Sequence, residues 1–213
     1  MRGKLIVFEG LDAVGKATQV QLFVNKLNEL EKNPLYFKFP TYEQTQYGSI
    51  VKDYLSGKFG SKEKVSPYCG AMFYALDRLQ FRETFHKELH AGRLIVCDRY
   101  KMSNIYQVAK APESEWREIF DWLARLESPM PDADATVWID LPPENAFLGN
   151  RETKDIHETD AAFQRKVRKA YEWVCELLPV IRINALEKGK PKGKEQLAKE
   201  IWKELTSRDI ISE

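Results

Sequence analysis

Phe8-Glu9-Gly10-Leu11-Asp12-Ala13-Val14-Gly15-Lys16-Ala17-Thr18 follows the apolar run Leu5-Ile6-Val7-Phe8, which has the look of a buried strand. It precedes a segment in which Val20, Phe23, Val24, Leu27 and Leu30 recur at helical spacing. A strand, then a loop of the form GxxxxGK, then a helix is the arrangement that cradles phosphate. Gly10 and Gly15 permit tight turns, so successive backbone N–H groups can point inward at phosphate oxygens. The helix N-terminus adds partial positive charge, and Lys16 supplies a mobile ammonium. The whole stretch Gly10, Leu11, Asp12, Ala13, Val14, Gly15, Lys16, Ala17 and Thr18 is therefore assigned to the polyphosphate of a nucleotide. One position departs from the general pattern. The residue after the lysine is usually Ser or Thr, whose hydroxyl ligates Mg²⁺. Here it is Ala17, and the hydroxyl comes one residue later, on Thr18.

Outward from this loop, strand-like runs recur at 4–9, 35–39, 94–98, 136–141 and 180–184, separated by segments with helical periodicity. Ser66-Pro67 reads as an N-cap with a first-turn proline, opening one helix that runs to about Gly92. Ser114 is the expected cap of a helix carrying Ile119, Phe120, Leu123 and Leu126. Asp160 precedes a third, with Phe163, Val167, Ala170, Tyr171 and Val174. Strands alternating with helices imply an α/β sandwich of three layers: a five-stranded parallel sheet with helices on both faces. Ligands of such folds gather at the C-terminal ends of the strands. No repeat or linker divides the chain, so 1–213 is expected to be a single domain.

The 213 residues can bury a core without disulfides, and Cys69, Cys97 and Cys175 form no CxxC pair. That fits a reducing compartment. A net charge of +1 gives no electrostatic case for nucleic acid or a membrane surface as main partner. No apolar stretch approaches membrane-spanning length and no secretory signal opens the chain, so a cytoplasmic location is expected. The polar segment 149–160 has the charges of a closing lid over a phosphate site, or simply of a solvated loop. Lys188-Gly189-Lys190-Pro191-Lys192-Gly193-Lys194 reads as a solvated loop. His86 and His90 stand four apart on a helix, but without a third ligand they read as a solvated face.

Cys97-Asp98-Arg99-Tyr100 ends the third strand, with Ser103-Asn104 close behind. An Asp at that edge suits a hydrated Mg²⁺, and an Arg suits a second phosphate gripped bidentately. Tyr74 and Arg78 stand i,i+4 on a helix, where an aromatic plate beside a forked donor suits a nucleobase.

Together these pieces resemble the thymidylate kinase family over essentially the whole chain. The matching segments are Phe8-Glu9-Gly10-x-Asp12, Phe39-Pro40-x-Tyr42, Tyr74-Ala75-Leu76-Asp77-Arg78, Asp98-Arg99-Tyr100 with Ser103-Asn104, and Asp155-x-x-Glu158. The resemblance implies transfer of the ATP γ-phosphoryl to dTMP with Mg²⁺. It implies that Asp12 contacts the sugar or a metal-bound water and that Tyr74 stacks on thymine. Arg78, Asn104 and Ser103 would meet the base side, Arg99 the dTMP phosphate, and Tyr42 the deoxyribose. Asp98, with Asp12 and Glu158, would organise the metal, and Lys16, Asp98, Arg99 and Arg151 would carry the chemistry. Many relatives have an arginine after Phe-Pro; here Lys38 or Tyr42 must replace it. The loop lacks a cation at Ala13, so Arg151 or Lys154 of the lid is expected to supply one. Relatives are homodimers. The competing readings are a kinase for another nucleoside or nucleoside monophosphate, and a P-loop protein that binds nucleotide without catalysis.

Overall fold

The computed structural model describes residues 2–61, 64–146 and 161–212. The elements run β1 (Leu5–Gly10), α1 (Lys16–Glu29), β2 (Leu35–Lys38), α2 (Gln46–Leu55), α3 (Pro67–Leu79), α4 (Arg82–His90), β3 (Ile95–Asp98), α5 (Ile105–Val108), α6 (Trp116–Leu126), β4 (Ala135–Asp140), α7 (Ala161–Leu177), β5 (Ile181–Asn184), a hairpin of β6 (Leu186–Glu187) and β7 (Lys190–Pro191), and α8 (Lys194–Ser207). The main sheet is parallel, in the order β2-β3-β1-β4-β5. Central β1 is buried at every position, because helices cover both faces. Edge strands β2 and β5 instead alternate between more and less exposed positions.

Successive side chains of a strand point to opposite faces, which divides the core in two. Ile6, Phe8 and Val96 join Phe23 of α1 and Tyr171 of α7. Leu5, Val7, Ile95 and Cys97 pack with Phe85 and Leu89 of α4. Register places Phe8 beside Asp98 and Gly10 beside Ile139, so the loop after β1 opens at the middle of the sheet's C-terminal edge. Among the described residues no helix is long and apolar enough to cross a membrane.

Two helix expectations are corrected. The span from Ser66 to Gly92 is two helices, divided at Gln80-Phe81. Gln80 Nε2 donates to the Asp77 carbonyl at 2.7 Å, and Phe81 turns into an aromatic cluster with Phe37 and Phe39 at centroid distances of 5.5 and 5.7 Å. Ser66 is the cap foreseen, accepting from the Cys69 N–H at 3.1 Å. Ser114 is not a cap: a 3₁₀ turn over Glu113–Glu115 leads into α6, which has no side-chain cap.

Candidate active site

The loop between β1 and α1 has the geometry that a phosphate cradle requires. Gly15, at φ 81°, is the N-cap of α1, and Ala13 is also left-handed, at φ 58°. No side chain caps α1 and its first turn holds no acid, so its leading N–H groups face the cleft unneutralised. The cleft has a volume of about 530 Å³ and is lined by Leu11, Asp12, Ala13, Val14, Gly15, Lys16, Ala17, Thr18 and Gln19, with Lys38, Asp98, Arg99, Lys192 and Lys194 on its other walls.

Lys16 and Asp98 meet across this cleft, Nζ to Oδ1 2.9 Å, and both are buried. Burial, reinforced by the nearby Arg99, holds the Lys16 ammonium below its ordinary pKa. Arg99 has a left-handed backbone, φ 69°, that turns its guanidinium onto Asp12 and within 3.4 Å of Ser103 Oγ. Tyr106 OH donates to the other Asp12 oxygen at 2.9 Å. Burial acts to raise the Asp12 pKa, but Arg99, Lys16 and Tyr106 together outweigh it and hold the carboxyl below its ordinary value.

A second pocket adjoins the first and shares Asp12, Phe39, Pro40, Tyr42 and Arg99 with it. Its remaining walls are Leu55, Tyr74, Arg78, Ser103 and Tyr106. Tyr74 and Arg78 therefore meet on one helical face as their spacing predicts. Arg78 is almost fully buried and pairs with Glu127 through Nε at 2.5 Å and Nη2 at 2.8 Å. Asn104 is buried beside it and donates to Glu127 Oε1 at 2.7 Å; it does not line the pocket. Arg151, Lys154, Asp155 and Glu158 lie outside the described residues.

Three acids that the sequence reading left without a role organise these walls. Glu9 accepts from the Tyr100 N–H at 2.9 Å, Ser103 Oγ at 2.6 Å and Tyr171 OH at 3.1 Å, fixing the turn that carries Arg99. Its burial outweighs the nearby cations and raises its pKa. Asp77 receives the Thr41 N–H at 2.9 Å and the Thr41 hydroxyl, anchoring the segment before Tyr42. Glu127 is the third. A glutamate inside the apolar strand Leu5-Ile6-Val7-Phe8-Glu9 was a visible signal; Glu127, 49 residues from Arg78, gave none.

The lysine-rich tract is also more than a solvated loop. It forms the β6–β7 hairpin, and the Lys192 N–H to Ala185 O (2.9 Å) and Gln19 Nε2 to Lys194 O (3.0 Å) bonds draw its end to the cleft. His86 Nε2 lies 3.1 Å from the Pro129 carbonyl and His90 Nδ1 2.7 Å from that of His86. Among the described residues no three His, Cys, Asp or Glu side chains cluster as a metal site.

The sequence model of the family described as "Thymidylate kinase" matches residues 8–205. A thymidylate kinase of Dictyostelium discoideum is 30% identical over 80% of this chain and 72% of its own. A probable thymidylate kinase of Thermococcus kodakarensis is 31% identical over 85% of this chain and 89% of its own. In fold, the chain is similar to the solved thymidylate kinase of Candida albicans, with a TM-score of 0.78 at 24% identity over 98% of this chain and 93% of that one. With a P-loop on the central strand, a second pocket sharing Asp12 and Arg99, and a match over nearly its full length, the chain belongs to the thymidylate kinase family.

Proposed function

We propose that this protein transfers the γ-phosphoryl group of ATP to dTMP, giving ADP and dTDP. The observation that carries this reading is the pair of adjoining pockets with Asp12 and Arg99 at their junction. Two phosphates held on either side of that junction are placed for in-line transfer, which asks the protein for alignment and charge stabilisation rather than covalent chemistry. The α1 N-terminus and Lys16 hold the ATP phosphates. Arg99 exchanges Asp12 for the dTMP phosphate, which it grips with its fork of donors. Tyr74 stacks on the base, Arg78 donates to its carbonyl, and Tyr42 walls the sugar. Lys38, exposed on the wall of the phosphate cleft just before the shared Phe39 and Pro40, takes the place of the arginine other relatives carry after Phe-Pro.

Asp12 and Asp98 fit Mg²⁺, since both bring hard carboxylate oxygens to the wall of the phosphate cleft. With Ala17 in place of a hydroxyl, they would hold the ion through water and phosphate oxygens. When bound, the ion neutralises charge on the transferring group.

Cys69, Met72 and Leu76 stand at i, i+3 and i+7 on α3 and are all exposed. That apolar stripe supports a homodimer built on α3. The three free cysteines suit a reducing cytoplasm.

ADP release in a coupled assay tests the reaction. dTMP should give the highest kcat/KM among dTMP, dUMP, CMP, AMP, GMP and thymidine. A preference for another acceptor would reassign the substrate, and no turnover with any of them would leave a nucleotide-binding protein.

A further inference from the structure

Glu9 lies near the end of β1, directly before Gly10 of the phosphate loop, and it is fully buried. A carboxylate in that place must find donors, and three reach it, two from the turn after β3 and one from α7. The Tyr100 N–H meets Oε1 at 2.9 Å, while Ser103 Oγ at 2.6 Å and Tyr171 OH at 3.1 Å meet Oε2. The first two flank Arg99. Tyr100 follows it in the chain, so the bond from the Tyr100 N–H fixes the peptide that leaves Arg99 in its left-handed turn. Ser103 gives its hydroxyl proton to Glu9, which leaves a lone pair of Oγ facing Arg99 Nη1 at 3.4 Å. The third donor comes from outside the site. Tyr171 is buried in α7 and lines neither pocket, and its ring stacks on Trp138 with centroids 5.5 Å apart.

We propose that Glu9 is the positioning residue for the acceptor's phosphate, acting on Arg99 through Tyr100 and Ser103 and fastened to α7 by the Tyr171 hydroxyl. This rests on the reading above that Arg99 grips the phosphate of dTMP. An arginine held through both its backbone and its guanidinium keeps one orientation when it gives up Asp12, and a bidentate grip needs that orientation. Phosphate affinity then depends on a hydroxyl of α7 that lines neither pocket. Glutamine at 9 has nearly the same shape but reverses the pattern. Its carbonyl must stay with the Tyr100 N–H, so its NH₂ turns to Ser103 and Tyr171. Ser103 then accepts that amide and turns its own O–H toward Arg99, a donor facing a donor.

The test compares dTMP with thymidine, which lacks the phosphate and so separates the grip of Arg99 from contacts to base and sugar. Dissociation constants of both, and of ATP, are measured by calorimetry. In the parent, dTMP should bind more tightly than thymidine. Glu9→Gln should cut that ratio by about tenfold, through dTMP alone, with thymidine and ATP affinities unchanged. Tyr171→Phe keeps the ring on Trp138 and removes only the hydroxyl. It should cut the ratio by about threefold, and it decides the matter if Glu9→Gln does not fold. A ratio unchanged in both variants, or an equal loss of dTMP and thymidine affinity, would leave Glu9 a structural brace only. A parent that binds thymidine as tightly as dTMP would instead overturn the phosphate assigned to Arg99, and this proposal with it.

Discussion

At the scale of single residues, the site is a set of buried and half-buried charges in close pairs, whose partners the proposed mechanism exchanges for substrate. Asp98 and Lys16 form a close pair at the loop that the proposed mechanism gives to ATP. Asp98→Asn keeps the shape and removes the charge, and kcat should fall by about a hundredfold or more, the scale of losing one electrostatic contact to a transferring group. Ala17→Thr should change the Mg²⁺ requirement only modestly, because a water can stand in for one hydroxyl. If Ala17→Thr turned an inactive protein into an active one, the noncatalytic reading would prevail. Glu9 titrates in the other sense from Asp12. Its pKa is raised in the folded chain, so the native state binds its proton more tightly than the unfolded one and stability declines as pH rises. That loss begins near the ordinary glutamate value of 4.5 and ends above the folded pKa. In thermal melts, any advantage of the parent over Glu9→Gln should shrink as pH rises through this window; an advantage that grew would refute the assignment.

At the scale of elements, what matters is how closely helices approach the loops to which the proposed function assigns substrate contacts. Gly48, in α2, packs on the segment holding Tyr42: a Cβ there would lie 2.5 Å from Thr41 Oγ1 and from the Tyr42 nitrogen. Asp77 of α3 grips the same segment from its other side, so it cannot simply move away. Gly48→Ala should therefore cost about 1–3 kcal/mol of stability through overpacking. Steady-state kinetics should show a higher KM for dTMP with the KM for ATP nearly unchanged. Equal effects on both would mean the strain spreads beyond the Tyr42 segment. The break between α3 and α4 belongs to this scale too. Met72, Phe73 and Leu76 carry helical spacing straight toward Phe85 and Leu89, and periodicity contains no term for Phe81 seeking Phe37 and Phe39 on an edge strand.

At the scale of the molecule, the exposed stripe of α3 is the proposed subunit contact. Met72 and Leu76 are 46% and 37% exposed, one turn apart. Sedimentation of the parent should give the mass of two chains, and Met72→Glu with Leu76→Glu the mass of one. A parent that sediments as a single chain would remove the homodimer. The same scale explains the lysine-rich tract. Its composition suggests solvent, but β5 ends at the sheet's active edge, so the hairpin after it is delivered to the phosphate cleft.

The sequence determined by itself whatever depends on neighbours along the chain. The inner strands β1, β3 and β4 are near-continuous apolar runs and the edge strands β2 and β5 are short alternating ones, the phosphate loop is fixed by the spacing of Gly10, Gly15 and Lys16, and Tyr74 and Arg78 share a face because helical geometry puts them there. Ser66-Pro67 likewise announces its helix in two residues. Only the tertiary structure decided that Glu127 holds both Arg78 and Asn104, that Glu9 and Asp77 brace the turns beneath Arg99 and Tyr42, and that Lys192 and Lys194 reach the cleft. These contacts join residues tens of positions apart, and an isolated acid carries no local pattern that names its partner. Buried charges must find counter-charges or donors wherever the folded chain brings them, because leaving one unpaired away from water costs more than local preference can recover.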